Sequence, residues 1–191
     1  MNKRAEMGVG TLVVFIAMIL VAAIAAGVVI STVTSLQSKA MITGAETITE
    51  VSNKLNFIQI TGVNGSLGSI QNLSLLAKLA AGSNPISLED ALVSVVLDDS
   101  VYRLQYNSSV NLSMTGNQSQ FYAVTYEVNG PDHLDGFIAP GDIARFHMYP
   151  PRNIGPDDEV EVSFVPKSGQ TSRASFFAPD TISTTTVVLF P

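Results

Sequence analysis

Met7-Gly8-Val9-Gly10-Thr11-Leu12-Val13-Val14-Phe15-Ile16-Ala17-Met18-Ile19-Leu20-Val21-Ala22-Ala23-Ile24-Ala25-Ala26-Gly27-Val28-Val29-Ile30 is the stretch that decides how the chain is built. No charged residue occurs from Met7 to Ser38. The 22 nearly uniform apolar residues from Val9 to Ile30 are long enough, as a helix, to cross a bilayer core of ~30 Å. Lys3 and Arg4 stand just ahead of the run and would stay on the cytoplasmic side, with the remainder of the chain outside. A plain single-span anchor and an assembly helix both fit this hydropathy.

Two features separate them. Small residues crowd the second half of the run, where Ala22 and Ala26, like Ala23 and Gly27, form small-xxx-small pairs that let helices approach closely. The apolar pattern also continues past the membrane edge at roughly helical spacing, through Val33, Leu36, Ala40, Ile42, Ile48, Val51, Leu55 and Ile58. Glu50 and Lys54 add a favourable i,i+4 pair. A helix from Val9 to Phe57 would be roughly 70 Å long, which a lone anchor does not need and a filament core does. Gly44 is a mild weak point inside it, at ~1 kcal/mol relative to alanine.

The rest of the 191-residue chain has ordinary polarity. Charged residues make up 14% of the whole, against ~25% in typical soluble domains, because the apolar block dilutes them. The net charge of −6 and the scattered basic residues leave no positive stripe, so nucleic acid is not an expected partner. The absence of cysteine excludes disulfides and thiolate metal sites, so a secreted domain must be held by core burial.

Gly62-Val63-Asn64-Gly65-Ser66-Leu67-Gly68-Ser69 reads as a turn-rich linker, after which the hydrophobic period changes to two. Leu73, Leu75, Ala77 and Leu79 alternate, although Leu-Leu-Ala-Lys-Leu also suits a helix. Residues 93–97 and 101–106 flank Asp98-Asp99-Ser100 as a hairpin, and strands are predicted at 121–128, 143–149, 172–177 and 184–190. Val160, Val162 and Phe164 alternate with Glu159, Glu161 and Ser163 as a half-buried strand. The predicted fold is α+β: a long N-terminal helix followed by an all-β, immunoglobulin-like sandwich or barrel.

An ordinary secretory signal is cut after its apolar region, but here the run passes straight into further helix, so a cut belongs before it. With Lys3-Arg4-Ala5 ahead of it, the run from Gly8 to Met18, followed by Leu20-Val21-Ala22-Ala23 and Ala25-Ala26-Gly27, resembles the class III signal and assembly helix of archaellins. These are the type IV pilin-like subunits of the archaeal flagellum. Ala81 to Leu88, Ala139-Pro140-Gly141-Asp142 and the tail from Pro166 to Pro191 resemble outer-domain segments of the same family. The resemblance implies cleavage between Ala5 and Glu6, two residues before Gly8; many family members carry glycine where Ala5 stands.

The implied organisation is a leader over residues 1–5, an assembly helix over 6–60, a linker over 61–69 and an outer β-domain over 70–191. Gly8, Gly10, Phe15, Ala22, Ala23, Ala26 and Gly27 are the expected assembly residues. The implied function is a polymerising subunit of a cell-surface swimming filament, outside the cell after transient membrane insertion. Its partners would be copies of itself or sister subunits, a prepilin-type signal peptidase and a membrane assembly platform. An adhesion pilin shares this logic, and a membrane-anchored binding domain is the competing class.

Five Asn-x-Ser sequons, at Asn64, Asn72, Asn107, Asn111 and Asn117, are candidate N-glycosylation sites, three of them within eleven residues. Asp132 and Asp135 put two carboxylates in one turn, a partial oxygen set for a divalent metal, but the full calcium-loop spacing is absent. Neither His133 nor His147 sits in a hydrolase or metalloprotease motif, and Asp157-Asp158-Glu159 reads as a solvated turn. No catalytic constellation and no cofactor other than N-linked glycans is expected.

Overall fold

A computed structural model describes residues 3–64, 68–98, 100–109 and 120–190. Lys3–Ser52 is one 50-residue α-helix, α1. The chain divides into two compact units, one through Thr47 and one from Ile48 onward, so the last turn of α1 belongs with the strands.

Eleven strands follow among the described residues: β1 (Leu55–Asn64), β2 (Ile70–Leu79), β3 (Ile86–Ser87), β4 (Leu92–Leu97), β5 (Ser100–Tyr106), β6 (Phe121–Val128), β7 (Phe137–Ile138), β8 (Ile143–Met148), β9 (Glu159–Val165), β10 (Ser172–Phe177) and β11 (Thr186–Phe190). Nine of them make one sheet in the order β10-β9-β4-β5-β6-β8-β2-β1-β11, and β3 and β7 pair separately. Every pairing is antiparallel except β5 with β6. The sheet curls until β10, at one end, meets β1, next to the other: the Ser172 hydroxyl of β10 donates to the Leu55 carbonyl of β1. Near-closure hides edges that would otherwise be open to pairing with other chains.

The core follows from alternation. Leu73, Leu75 and Ala77 on β2, Ala144, Phe146 and Met148 on β8, and Val160, Val162 and Phe164 on β9 are all fully buried. The rings of Tyr122, Phe146 and Phe164 run through the interior with successive centroids 5.7 Å apart. The Tyr122 hydroxyl, which burial would otherwise strand, donates to the Leu88 and Ala91 carbonyls at 3.0 and 3.2 Å. This ties the chain between β3 and β4 over the barrel interior.

The expected hairpin is present as β4–β5, and the 73–79 ambiguity resolves as strand. The helix expected to reach residue 60 instead ends at Ser52, and residues 55–64 are β1. The misleading signal has a physical source. Leu55 and Phe57 face the core, a register shift follows between Phe57 and Gln59, and Ile60 then faces the core. Ile58, three residues after Leu55, suits a helical period only because it falls at this register shift. Pairing with β2 and β11 decides the outcome against local pattern.

The expected linker from 61 to 69 is also corrected, because Thr61–Asn64 completes β1. Gly62, which reads as a turn residue, is a packing residue: a Cβ there would lie 2.8 Å from Ile70 Cγ2. The β-domain therefore begins at Leu55, not at residue 70.

Candidate functional site

From Met7 to Val51 every large apolar side chain of α1 is exposed. Phe15 is 61% exposed and Ile24 68%. Burying one such side chain contributes roughly 1.5–3 kcal/mol, so the uncovered helix holds on the order of tens of kcal/mol of unrealised burial. The residues fall on helix because nothing in the run breaks one, and an all-round apolar helix has no solvated face to present.

The threonine hydroxyls within the run are paired with the helix's own carbonyls. Thr11 donates to the Gly8 carbonyl at 3.0 Å, Thr32 to Val29 at 2.8 Å and Thr34 to Ile30 at 2.9 Å. A hydroxyl satisfied by its own backbone can enter an apolar environment without an unpaired donor. Ala22, Ala23, Ala26 and Gly27 are exposed, with Ala22 over Ala26 and Ala23 over Gly27 on successive turns. A Cβ placed at Gly8, Gly10 or Gly27 would meet nothing within 4 Å. Among the described residues nothing therefore requires glycine at these positions. The side chains of Ala5 and Glu6 lie outside the described residues.

The turn carrying Asp132 and Asp135 is organised by a different carboxylate. Asp142 is fully buried and accepts the N–H groups of Gly130 at 2.6 Å and Ala139 at 2.9 Å, with His133 Nδ1 at 3.3 Å. Burial pushes its carboxyl up, but these donors outweigh burial and hold it below the usual carboxylate range. Asp132 and Asp135 are exposed, and Asp135 faces His133 Nε2 at 3.3 Å. Among the described residues no three His, Asp or Glu side chains gather into a metal-holding group. Tyr126, whose hydroxyl donates to the Phe137 carbonyl at 2.7 Å, is pushed by burial up to about 12.

His147 lies on the outer face of the barrel, with Nε2 2.9 Å from Thr125 Oγ1 and Nδ1 3.4 Å from Ser74 Oγ. Burial, reinforced by neighbouring Arg145, holds its pKa below the usual value. A serine beside a histidine resembles a hydrolase pair only superficially. Here the second ring nitrogen meets a hydroxyl instead of an orienting carboxylate, and the nearby Glu127 is held by Arg145 at 2.7 Å.

The sequons separate by environment. Asn107 leaves β5, and its Oδ1 accepts the N–H of Ser109 at 2.9 Å, so the sequon bends into a turn with Ser108 and Ser109 exposed. Asn72 sits in β2 opposite Val63 of β1, and its Oδ1 is buried without a partner among the described residues. Asn64 ends β1, and its side chain lies outside the described residues, as do Asn111 and Asn117 entirely.

The description "archaeal-type flagellin" matches residues 5–176. The chain belongs to the archaeal-type flagellin family. It is 34% identical to Flagellin B1 of Methanocaldococcus jannaschii, over 98% of this chain and 96% of the relative. It is 33% identical to Flagellin B1 of Halobacterium salinarum, over 93% of this chain and 89% of the relative. The fold is that of an archaeal flagellin crystal structure from Methanocaldococcus jannaschii, with a TM-score of 0.64, 24% identity and coverage of 72% of this chain and 96% of that one. It is also that of the archaeal flagellum of Methanospirillum hungatei, with a TM-score of 0.71, 14% identity and coverage of 96% and 99%. In this member of the family the large uncovered apolar surface lies on α1.

Proposed function

We infer that this chain is the structural subunit of an archaeal flagellum filament for swimming, polymerising through α1 with the β-domain turned outward. The observation that carries the reading is a helix apolar on every side from Val9 to Ile30, with its large apolar side chains exposed from Met7 to Val51. In water such a surface is untenable. It is sheltered first by lipid, since the stretch from Met7 meets the length and composition of a membrane span, and then by copies of itself. Both environments are apolar, so the transfer costs little, and close packing through the Ala22/Ala26 and Ala23/Gly27 stripe favours the bundle. A heterologous contact whose rotation does not close on itself extends into a filament.

On this reading a prepilin-type peptidase cuts between Ala5 and Glu6, and a membrane platform feeds the subunit into the growing shaft. Residues 107–117 carry N-linked glycans that hydrate the filament surface. The chain carries out no catalysis and contributes a passive shaft.

Shearing filaments from cells, imaging them and sequencing the subunit's N-terminus tests the proposal. The expected result is a fibre whose lumen is built from residues after Ala5 and whose subunit starts at Glu6. Subunits extracted only as monomers in detergent, with no polymer in the sheared fraction, would contradict it.

A further inference from the structure

The last turn of a helix leaves four carbonyls without intrahelical partners, and α1 has no basic residue there to meet them. Two of them, those of Val51 and Ser52, are met by loops of the β-domain. The Thr49 carbonyl accepts the N–H of Asn53 at 3.0 Å, Val51 accepts Gln170 Nε2 at 3.1 Å, and Ser52 accepts Ser83 Oγ at 2.9 Å. Asn53 itself is only 4% exposed. Its side-chain oxygen accepts the N–H of Asn84 and its carbonyl accepts the N–H of Gln170, both at 2.8 Å. Lys54 continues the pattern: its N–H donates to Ser83 Oγ at 3.2 Å, and its carbonyl accepts Ala80 N–H at 2.8 Å.

The approach is too close for any side chain on the far loop. Gly169 has φ +131°, and a Cβ there would stand 2.7 Å from both Cβ and the carbonyl oxygen of Asn53. One loop, 80–84, follows β2; the other, 167–171, joins β9 to β10. The exit of the helix is thus gripped from two distant parts of the chain.

We propose that Asn53, held by loops 80–84 and 167–171, forms a rigid clasp that fixes the direction in which the last turn of α1 meets the β-domain. Bending and twisting of the last turn then pass into the strands without a hinge between Ser52 and Leu55, which is a property a rotating shaft uses; this consequence rests on the filament reading above. Asn53 acts as a positioning residue, with a buried amide oxygen that alanine cannot replace.

The chain has no cysteine, so spin labels at Glu50→Cys and Gln105→Cys report the joint cleanly in the full-length protein in detergent micelles. The distance distribution by pulsed electron resonance should be single and narrow. Asn53→Ala should broaden it about twofold, with the β-domain still melting cooperatively. The paired variant Ser83→Ala/Gln170→Ala gives a milder route to the same broadening should Asn53→Ala not fold. Ile70→Val, which lightens the core at the end of β2 remote from loop 80–84, should leave the width unchanged. A distribution equally narrow in the clasp variants, or already broad without them, overturns the proposal. Sheared filaments of the clasp variants should also bend more readily under imaging. If the unsubstituted chain makes no filaments, the functional reading fails while the distance result still decides the clasp.

Discussion

Asp142 and Gly130 lie twelve residues apart in sequence and are joined by a 2.6 Å hydrogen bond from the Gly130 N–H to the buried Asp142 carboxylate. The same carboxylate takes the Ala139 N–H, so one side chain closes the loop between β6 and β8. A Cβ at Gly130 would stand 2.7 Å from the Pro140 carbonyl oxygen, which is why glycine is found at the point of contact.

Asp142→Asn should destabilise the β-domain by about 1–3 kcal/mol, because the amide nitrogen cannot accept the second backbone N–H. The folded carboxyl lies below its ordinary value of 3.8. As pH falls, the unfolded chain takes up the proton first. The contribution of Asp142 is therefore complete above 3.8 and is lost as pH falls from there through the folded value. Thermal melting against pH should show a shallower acid limb in the variant than in the unsubstituted chain.

His147 gives a second acid-sensitive window. Its folded pKa lies below the ordinary 6.5, chiefly through burial. Between the folded value and 6.5 the unfolded chain binds the proton that the folded chain refuses. Stability should be full above that range and decline as pH falls through it. His147→Gln should flatten melting temperatures measured from about pH 7.5 down to about 5.

Two glycines should respond in opposite ways to alanine. At Gly62 the new methyl meets Ile70 Cγ2 at 2.8 Å, and overpacking of this kind costs about 1–3 kcal/mol. At Gly27 nothing lies within 4 Å, so Gly27→Ala should leave the melting temperature of the β-domain unchanged. Calorimetry on the two variants distinguishes them.

Charge on the small-residue stripe should abolish assembly without unfolding the subunit. Ala22→Lys/Ala26→Lys places two ammonium groups in an apolar run, each costing about 2.5–3.5 kcal/mol at mid-helix in lipid. Cells carrying it should lack sheared filaments, while the β-domain keeps its melting temperature. Normal filaments would contradict helix-to-helix packing.

Glycopeptide mass spectrometry should find Asn107 occupied and Asn72 bare. The first has its sequon in an exposed turn, whereas the second lies inside a strand paired on both sides with its amide oxygen buried. Occupancy at Asn72 would mean that β2 is modified before the barrel forms.

Much of the molecule was legible from pattern because the signals were local. The apolar run from Val9 to Ile30 needs no partner to be recognised as helix, and Val160-x-Val162-x-Phe164 announces its buried face by strict alternation. β1 was not legible, because its bulge near Ile58 mixes two periods and its strand character comes from partners at residues 70–79 and 186–190. In the 130–142 loop, Asp132 and Asp135 draw attention by proximity, yet the carboxylate that organises it is Asp142, whose burial no spacing reveals. The Ser74–His147–Thr125 network and the Asn53 clasp were missed for the same reason, since each joins residues from separate strands or loops.

The sequence by itself determined that a long apolar helix precedes a β-rich domain, and that the helix requires a partner outside its own chain, because hydrophobicity and its period are properties of neighbouring residues. Only the tertiary structure decided where that helix stops, which glycines are packing residues, and which polar side chains are anchors. Those outcomes depend on hydrogen bonds and close contacts between segments up to about 120 residues apart, which chain folding brings together and local order cannot encode.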